Sequence, residues 1–135
     1  MILTDTSAWI AYARGVPTPV VAHLRSLIEE GADLRLTEPV VMELLAGPRD
    51  SRELALMENL VNGLPLVPFD PAVDFRSAAQ LYRASRANGH PIRAQIDCVI
   101  AAVAIRLDVP LLQNDRDFAF LAEVSPLKLH PVPPR

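Results

Sequence analysis

The sequence predicts an α/β fold, a mostly parallel central sheet of about five strands flanked by helices on both faces, on three observations. Short apolar runs of strand length recur along the chain: MILT, LRLT, LVPF, VPLL and the stretch 127–132. Between them lie longer segments whose apolar residues recur at helical spacing. Glycine and proline punctuate the joins. Strands that alternate with helices need crossover connections, which make the sheet parallel and cover both of its faces. No internal repeat or low-complexity segment interrupts the pattern.

Met1 to Ser7 starts apolar and ends in TDTS, a short buried strand with Asp5 at its C-terminal end, after which Thr6 or Ser7 opens a helix. Pro17 and Pro19 break the chain before Val20, Val21, Leu24, Leu27 and Ile28 recur at helical spacing up to Gly31. Leu34 to Thr37 is the second strand. Pro39, in the position favoured at a helix start, launches VVMELLAG, which carries Glu43 and ends at Gly47 and Pro48. Leu54, Met57, Leu60 and Val61 pattern a helix over 51–61, and Gly63 and Pro65 separate it from the third strand, LVPF. Asp70 before Pro71 is an N-cap for a long helix over 72–87, closed by Asn88 and Gly89. The most apolar helix, 96–107, leads to the fourth strand, VPLLQND, and a fifth over 127–132. Pro133, Pro134 and Arg135 form a loose tail.

The 135 residues, half of them hydrophobic and 21% charged, suffice for one core, so the expectation is a single domain over 1–135. No apolar run is long enough to cross a bilayer, and MILTDTS lacks the basic start and cleavage site of a signal peptide. A cytoplasmic protein with no membrane association is expected. The net charge of -3 argues against coating nucleic acid through a uniformly basic surface, while leaving room for a local basic patch. His23, His90 and His130 share no ligand-like spacing, which disfavours zinc, and Cys98 in its apolar run reads as a small core residue.

In an open parallel sheet, ligands gather outside the C-terminal strand ends, and four acids fall there. Asp5 ends the first strand, Glu43 is in the helix after the second, Asp97 is near the start of the apolar helix, and Asp115 ends VPLLQND. Taken singly, Asp5 is also a candidate N-cap, Asp97 a first-turn acid and Asp115 a turn residue. Glu43 has less of an alternative, because VVMELLAG offers little other polarity. Together at one edge, in apolar surroundings, they read as a site. Carboxylates that close repel one another unless a cation joins them, and an all-oxygen set suits Mg2+ or Mn2+. Thr6 and Ser7, beside Asp5, are candidates for bonding a phosphate or a metal-bound water, or for capping the helix. Arg93 and Arg116 flank the acids as candidate contacts to a substrate phosphate. In NDRDF an extended chain points Asp115 and Asp117 to the same side, whereas a turn makes Asp117 a cap or first-turn acid for FAFLAEV. The firmer support of the strand favours Asp115 as the ligand, with Asp117 behind it.

Four stretches, ILTDTSAWIAY, TEPVVMELLAG, IRAQIDCVIAAVAIRLDVPLL and NDRDF, occur in this order and at this spacing. Over essentially its whole length the chain resembles the PIN-domain ribonucleases, and specifically the VapC toxins of bacterial toxin–antitoxin pairs. The resemblance implies that Asp5, Glu43, Asp97 and Asp115 match acids that hold a catalytic Mg2+. It implies cleavage of an RNA phosphodiester, with tRNA or rRNA as candidate substrates, by a metal-activated water that leaves 5'-phosphate and 3'-hydroxyl ends. Asp97 or Glu43 would take the proton. It also implies a VapB-like antitoxin that lays a helix in an apolar groove near Trp9, Ile10, Val41, Leu45 and Leu54, a homodimer, and a larger hetero-oligomer with the antitoxin. Two rivals remain. An α/β phosphoryl-transfer domain would need a second aspartate two positions after Asp5, where Ser7 stands. A non-catalytic PIN-like domain that binds RNA or protein would not need clustered negative charge.

Overall fold

The structure is a computed structural model that describes residues 1–134. In chain order the elements are β1 (Ile2–Thr4), α1 (Thr6–Ala13), α2 (Pro19–Glu29), β2 (Leu34–Arg35), α3 (Glu38–Ala46), α4 (Ser51–Gly63), α5 (Pro71–Ala87), α6 (Gln95–Leu107), β3 (Leu111–Leu112) and α7 (Asp117–Glu123). The sheet runs β2-β1-β3 with both pairings parallel, Ile2 opposite Leu34 and Leu3 opposite Leu111. Ile2, Leu3 and Thr4 are all buried. Successive strand side chains point to opposite faces, so both faces of β1 are covered.

The helices start where short polar side chains satisfy their first N–H groups. Thr18 accepts from the Val21 N–H at α2, Asp50 from Glu53 at α4, and Asp70 from Ala72 at α5, the last as the sequence predicts. Asp108, at φ 53°, ends α6 in the left-handed conformation that aspartate tolerates, and the chain reverses into β3.

The strand count differs from the expected five. Among the described residues the sheet has three strands, and the other two segments contribute one parallel bridge each, Leu36 with Leu66 and Leu111 with Leu129. The partner strands end too soon. Val67 N–H reaches Leu36 O at 2.6 Å, but the chain after β2 enters α3 at Glu38, and the next donor on that side, the Phe69 N–H, goes to the Glu38 carboxylate. His130 N–H reaches Leu111 O at 2.9 Å, and β3 ends one residue later, at Leu112. Pro133 and Pro134 adopt no regular element, and Arg135 of the expected tail lies outside the described residues.

Leu3, Leu24, Leu36, Leu44, Ile100, Leu111 and Phe118 fill the core with Trp9. Trp9 is therefore not a surface contact: its Nε1 donates to Thr4 Oγ1 at 2.7 Å and its ring meets Tyr12 edge-on. Ile10 and Val41 are half-buried, while Leu45 and Leu54 are exposed. Between α5 and α6 the fully buried Asp74 accepts from Arg106 Nε and Nη2, both at 2.9 Å. His23 and His130, distant in sequence, meet as stacked rings with Nε2 atoms 2.9 Å apart. No helix among the described residues is long and apolar enough to cross a membrane.

Candidate metal centre

Because β1 and β3 are parallel neighbours, the loops that leave their C-terminal ends share one edge. Asp5 follows β1, Asp115 and Asp117 follow β3, and Asp97 occupies the first turn of α6. Asp97, Asp115 and Asp117 each offer a carboxylate oxygen, all within 4.8 Å of one another. Asp97 and Asp117 are buried and Asp115 is partly so. Asp5 and Glu43 stand outside that trio, yet their charges reach it. Burial pushes the Asp97 carboxyl up to about 7, and the charges of Asp5, Asp115, Glu43 and Asp117 push in the same direction. Burial likewise raises Asp5 to about 6, with Glu43 adding and the hydrogen bonds from Ser7 opposing.

The local folding explains how each group is held. Asp5 caps α1, accepting the Ser7 N–H at 2.9 Å and the Ser7 hydroxyl at 2.5 Å on Oδ2. Its other oxygen, Oδ1, is buried with no hydrogen-bond partner among the described residues. The cap thus uses half of the carboxylate. Ser7 Oγ also accepts the Asn114 N–H at 2.9 Å, tying the end of β1 to the loop after β3. Thr6 Oγ1 donates to Glu43 Oε1 at 2.7 Å, which fixes the α3 acid against α1.

In NDRDF the chain turns, and Asp117 becomes the first residue of α7. It nevertheless faces the other acids. Its N–H donates to Asp115 Oδ1 at 3.0 Å, and its Oδ2 accepts from both the backbone N–H (3.1 Å) and Nε (3.2 Å) of Arg93. Arg93 Nη2 spans to Asp115 Oδ1 at 2.8 Å. Arg93 therefore lies on the acids themselves, whereas Arg116 is exposed at the N-cap of α7 and makes no ion pair among the described residues. Sequence reading placed Arg93 near the site but missed this bridge, because the partners are 22 and 24 positions away and no local pattern marks the pairing. It also passed over Thr37, whose buried hydroxyl at the N-cap of α3 has no partner among the described residues; a hydroxyl at a strand end ahead of Pro39 was the available signal.

These residues fit a hard divalent cation. The donors are all oxygen, three carboxylates converge, and the unpaired Asp5 Oδ1 together with the raised Asp5 and Asp97 marks negative charge in need of a counter-ion. No histidine or cysteine joins the trio among the described residues. Cys98 is beside Asp97, but burial pushes its thiol up to about 12, so it stays protonated.

A parallel sheet wrapped in helices, with clustered carboxylates at one edge, defines the class: an α/β protein with an acidic centre. The PIN domain family matches residues 2–124. Ribonuclease VapC11 of Mycobacterium tuberculosis is 43% identical over 129 residues, covering 95% of this chain and 96% of its own. Ribonuclease VapC19 of the same organism is 36% identical, covering 93% and 98%. The crystal structure of FitAcB from Neisseria gonorrhoeae superposes with a TM-score of 0.64 at 28% identity, over 96% of this chain and 97% of that one. VapBC2 from Rickettsia felis shares the fold, with a TM-score of 0.72 at 18% identity over 96% and 98%. The chain belongs to the PIN-domain family, in its VapC group.

Proposed function

We propose that the protein is a metal-dependent endoribonuclease toxin of a type II toxin–antitoxin pair, a single domain over 1–135 that acts in the cytoplasm on tRNA or rRNA. The observation that carries this reading is the convergence of Asp97, Asp115 and Asp117 beside the unpaired Oδ1 of Asp5, in a chain 43% identical to Ribonuclease VapC11. Asp5, Asp97, Asp115 and Glu43 would hold Mg2+ or Mn2+, with Asp117 beside them in the cluster. Such an ion, when bound, activates a water and offsets the charge that builds on the phosphoryl oxygens. Asp117 braces Asp115 through its N–H, and Ser7 and Thr6 orient Asp5 and Glu43. Glu43 or Asp97 accepts the proton as the phosphodiester opens. Arg116 and Arg93, both exposed, meet a substrate phosphate, Arg93 from its place on the acids.

A nuclease of this kind needs restraint. A VapB-like antitoxin lays an apolar helix over Ile10, Val41, Leu45 and Leu54, a strip left half-buried or exposed by α1, α3 and α4, and the toxin forms a homodimer and a larger hetero-oligomer with it. The test is RNA cleavage with Mg2+, Mn2+ or EDTA by the wild type and by Asp97→Asn. Cleavage is expected only for the wild type with metal, with far-UV circular dichroism unchanged by the substitution. Full activity of Asp97→Asn, or of either protein in EDTA, overturns the reading.

A further inference from the structure

We propose that Arg93 is a resident counter-cation of the acidic centre, which clasps Asp115 and Asp117 and competes with a divalent ion for their charge. The inference rests on the metal-centre reading above and deepens it. Arg93 is the cation that forms ion pairs with these acids among the described residues. Its anchor is firm at one end and loose at the other: the backbone N–H is fixed on the nearly inaccessible Asp117, while the guanidinium side chain is 64% exposed. It also takes one oxygen from each acid, Oδ2 of Asp117 and Oδ1 of Asp115. The other two oxygens, Asp117 Oδ1 and Asp115 Oδ2, make no hydrogen bond among the described residues, so the clasp leaves each acid half free.

Charge decides the consequence. Asp5, Glu43, Asp97, Asp115 and Asp117 repel one another, and Arg93 is the positive charge that the chain itself sets among them. It stabilises the acids when no other cation is present. A second cation on the same carboxylates meets the repulsion of the guanidinium, and the coupling is reciprocal: Arg93 weakens metal binding by the factor by which metal loosens Arg93. Once loosened, its planar fork suits a phosphate. Because Arg93 is largely hydrated, the coupling across a few ångströms amounts to about three- to tenfold in affinity.

Mn2+ titrations of the wild type, Arg93→Gln, Arg93→Lys and Asp97→Asn by calorimetry, with melting temperatures in EDTA, test this without any cleavage assay. Arg93→Gln is expected to bind Mn2+ about three- to tenfold more tightly, to melt lower in EDTA, and to gain more from added Mn2+. Arg93→Lys, which keeps the charge, stays within about twofold of the wild type. Equal or weaker Mn2+ binding by Arg93→Gln overturns the inference, as does Arg93→Lys behaving like Arg93→Gln. If the wild type takes up no Mn2+, or if Asp97→Asn takes it up equally well, the metal-centre reading itself has failed.

Discussion

Asp97 carries a burden that pH exposes. Its carboxyl is raised from an ordinary value of 3.8 to about 7 in the folded protein, and Asp5 from 3.8 to about 6. A folded state that holds these protons more tightly than the unfolded chain is favoured at low pH, and the advantage is lost as pH rises from about 4 through 7. In EDTA the contribution of this pair to the melting temperature is therefore expected to fall between pH 4 and 7.5, and Asp97→Asn should flatten the decline. A decline of the same steepness in Asp97→Asn would refute the assignment. The neighbouring pair separates by role. Asp115→Asn is expected to remove RNA cleavage, whereas Asp117→Asn, whose Oδ2 is already committed twice to Arg93, shifts the Mg2+ requirement by about 10- to 100-fold. Cleavage rates against Mg2+ concentration check this, and an inactive Asp117→Asn beside a nearly normal Asp115→Asn reverses it. That Asp5 and Asp115 follow strands and that Asp97 opens α6 was legible because strand ends and an apolar helix mark them. The inward aim of Asp117 was not, since its carboxylate is held by the backbone N–H and Nε of Arg93, 24 positions away in sequence.

At the level of elements, helices were easier to read than strands. Their caps and apolar spacing are local, and Thr18, Asp50 and Asp70 cap as short polar residues before a helix do. Strand extent depends on the partner, and β2 and β3 end at Arg35 and Leu112, too early to build a ladder with two further strands. Packing between helices supplies a polar constraint that no pattern announced. Arg106 of α6 grips the fully buried Asp74 of α5 through two nitrogens and also donates to Pro68 O at 2.6 Å. Arg106→Met leaves that carboxylate buried without its counter-charge and is expected to cost about 3–5 kcal/mol in urea denaturation. The double change Arg106→Met with Asp74→Leu should recover much of the loss. A double variant no more stable than the single one would show that the pair does more than neutralise itself.

For the molecule as a whole, an apolar groove of about 600 Å³ opens between α3, α5 and α6, lined by Met42, Phe69, Phe75, Tyr82 and Val99 among others. Met42 and Phe75, each 57% exposed, present apolar side chains at this groove. If the expected homodimer closes over this face, Phe75→Glu converts it to monomer in sedimentation analysis with little change in melting temperature, and an unaltered mass places the dimer elsewhere. The order of the sheet has a further effect, in time. The central strand β1 is made long before β3, with which it pairs; the Ser7–Asn114 bond that ties their loops joins residues 107 positions apart. A chain still emerging from the ribosome can display Asp5, Glu43 and Asp97 without Asp115, Asp117 or the strand that carries them. On the proposed reading the nascent toxin is blunt, and it gains its edge only after β3 and the acids that follow it have been made.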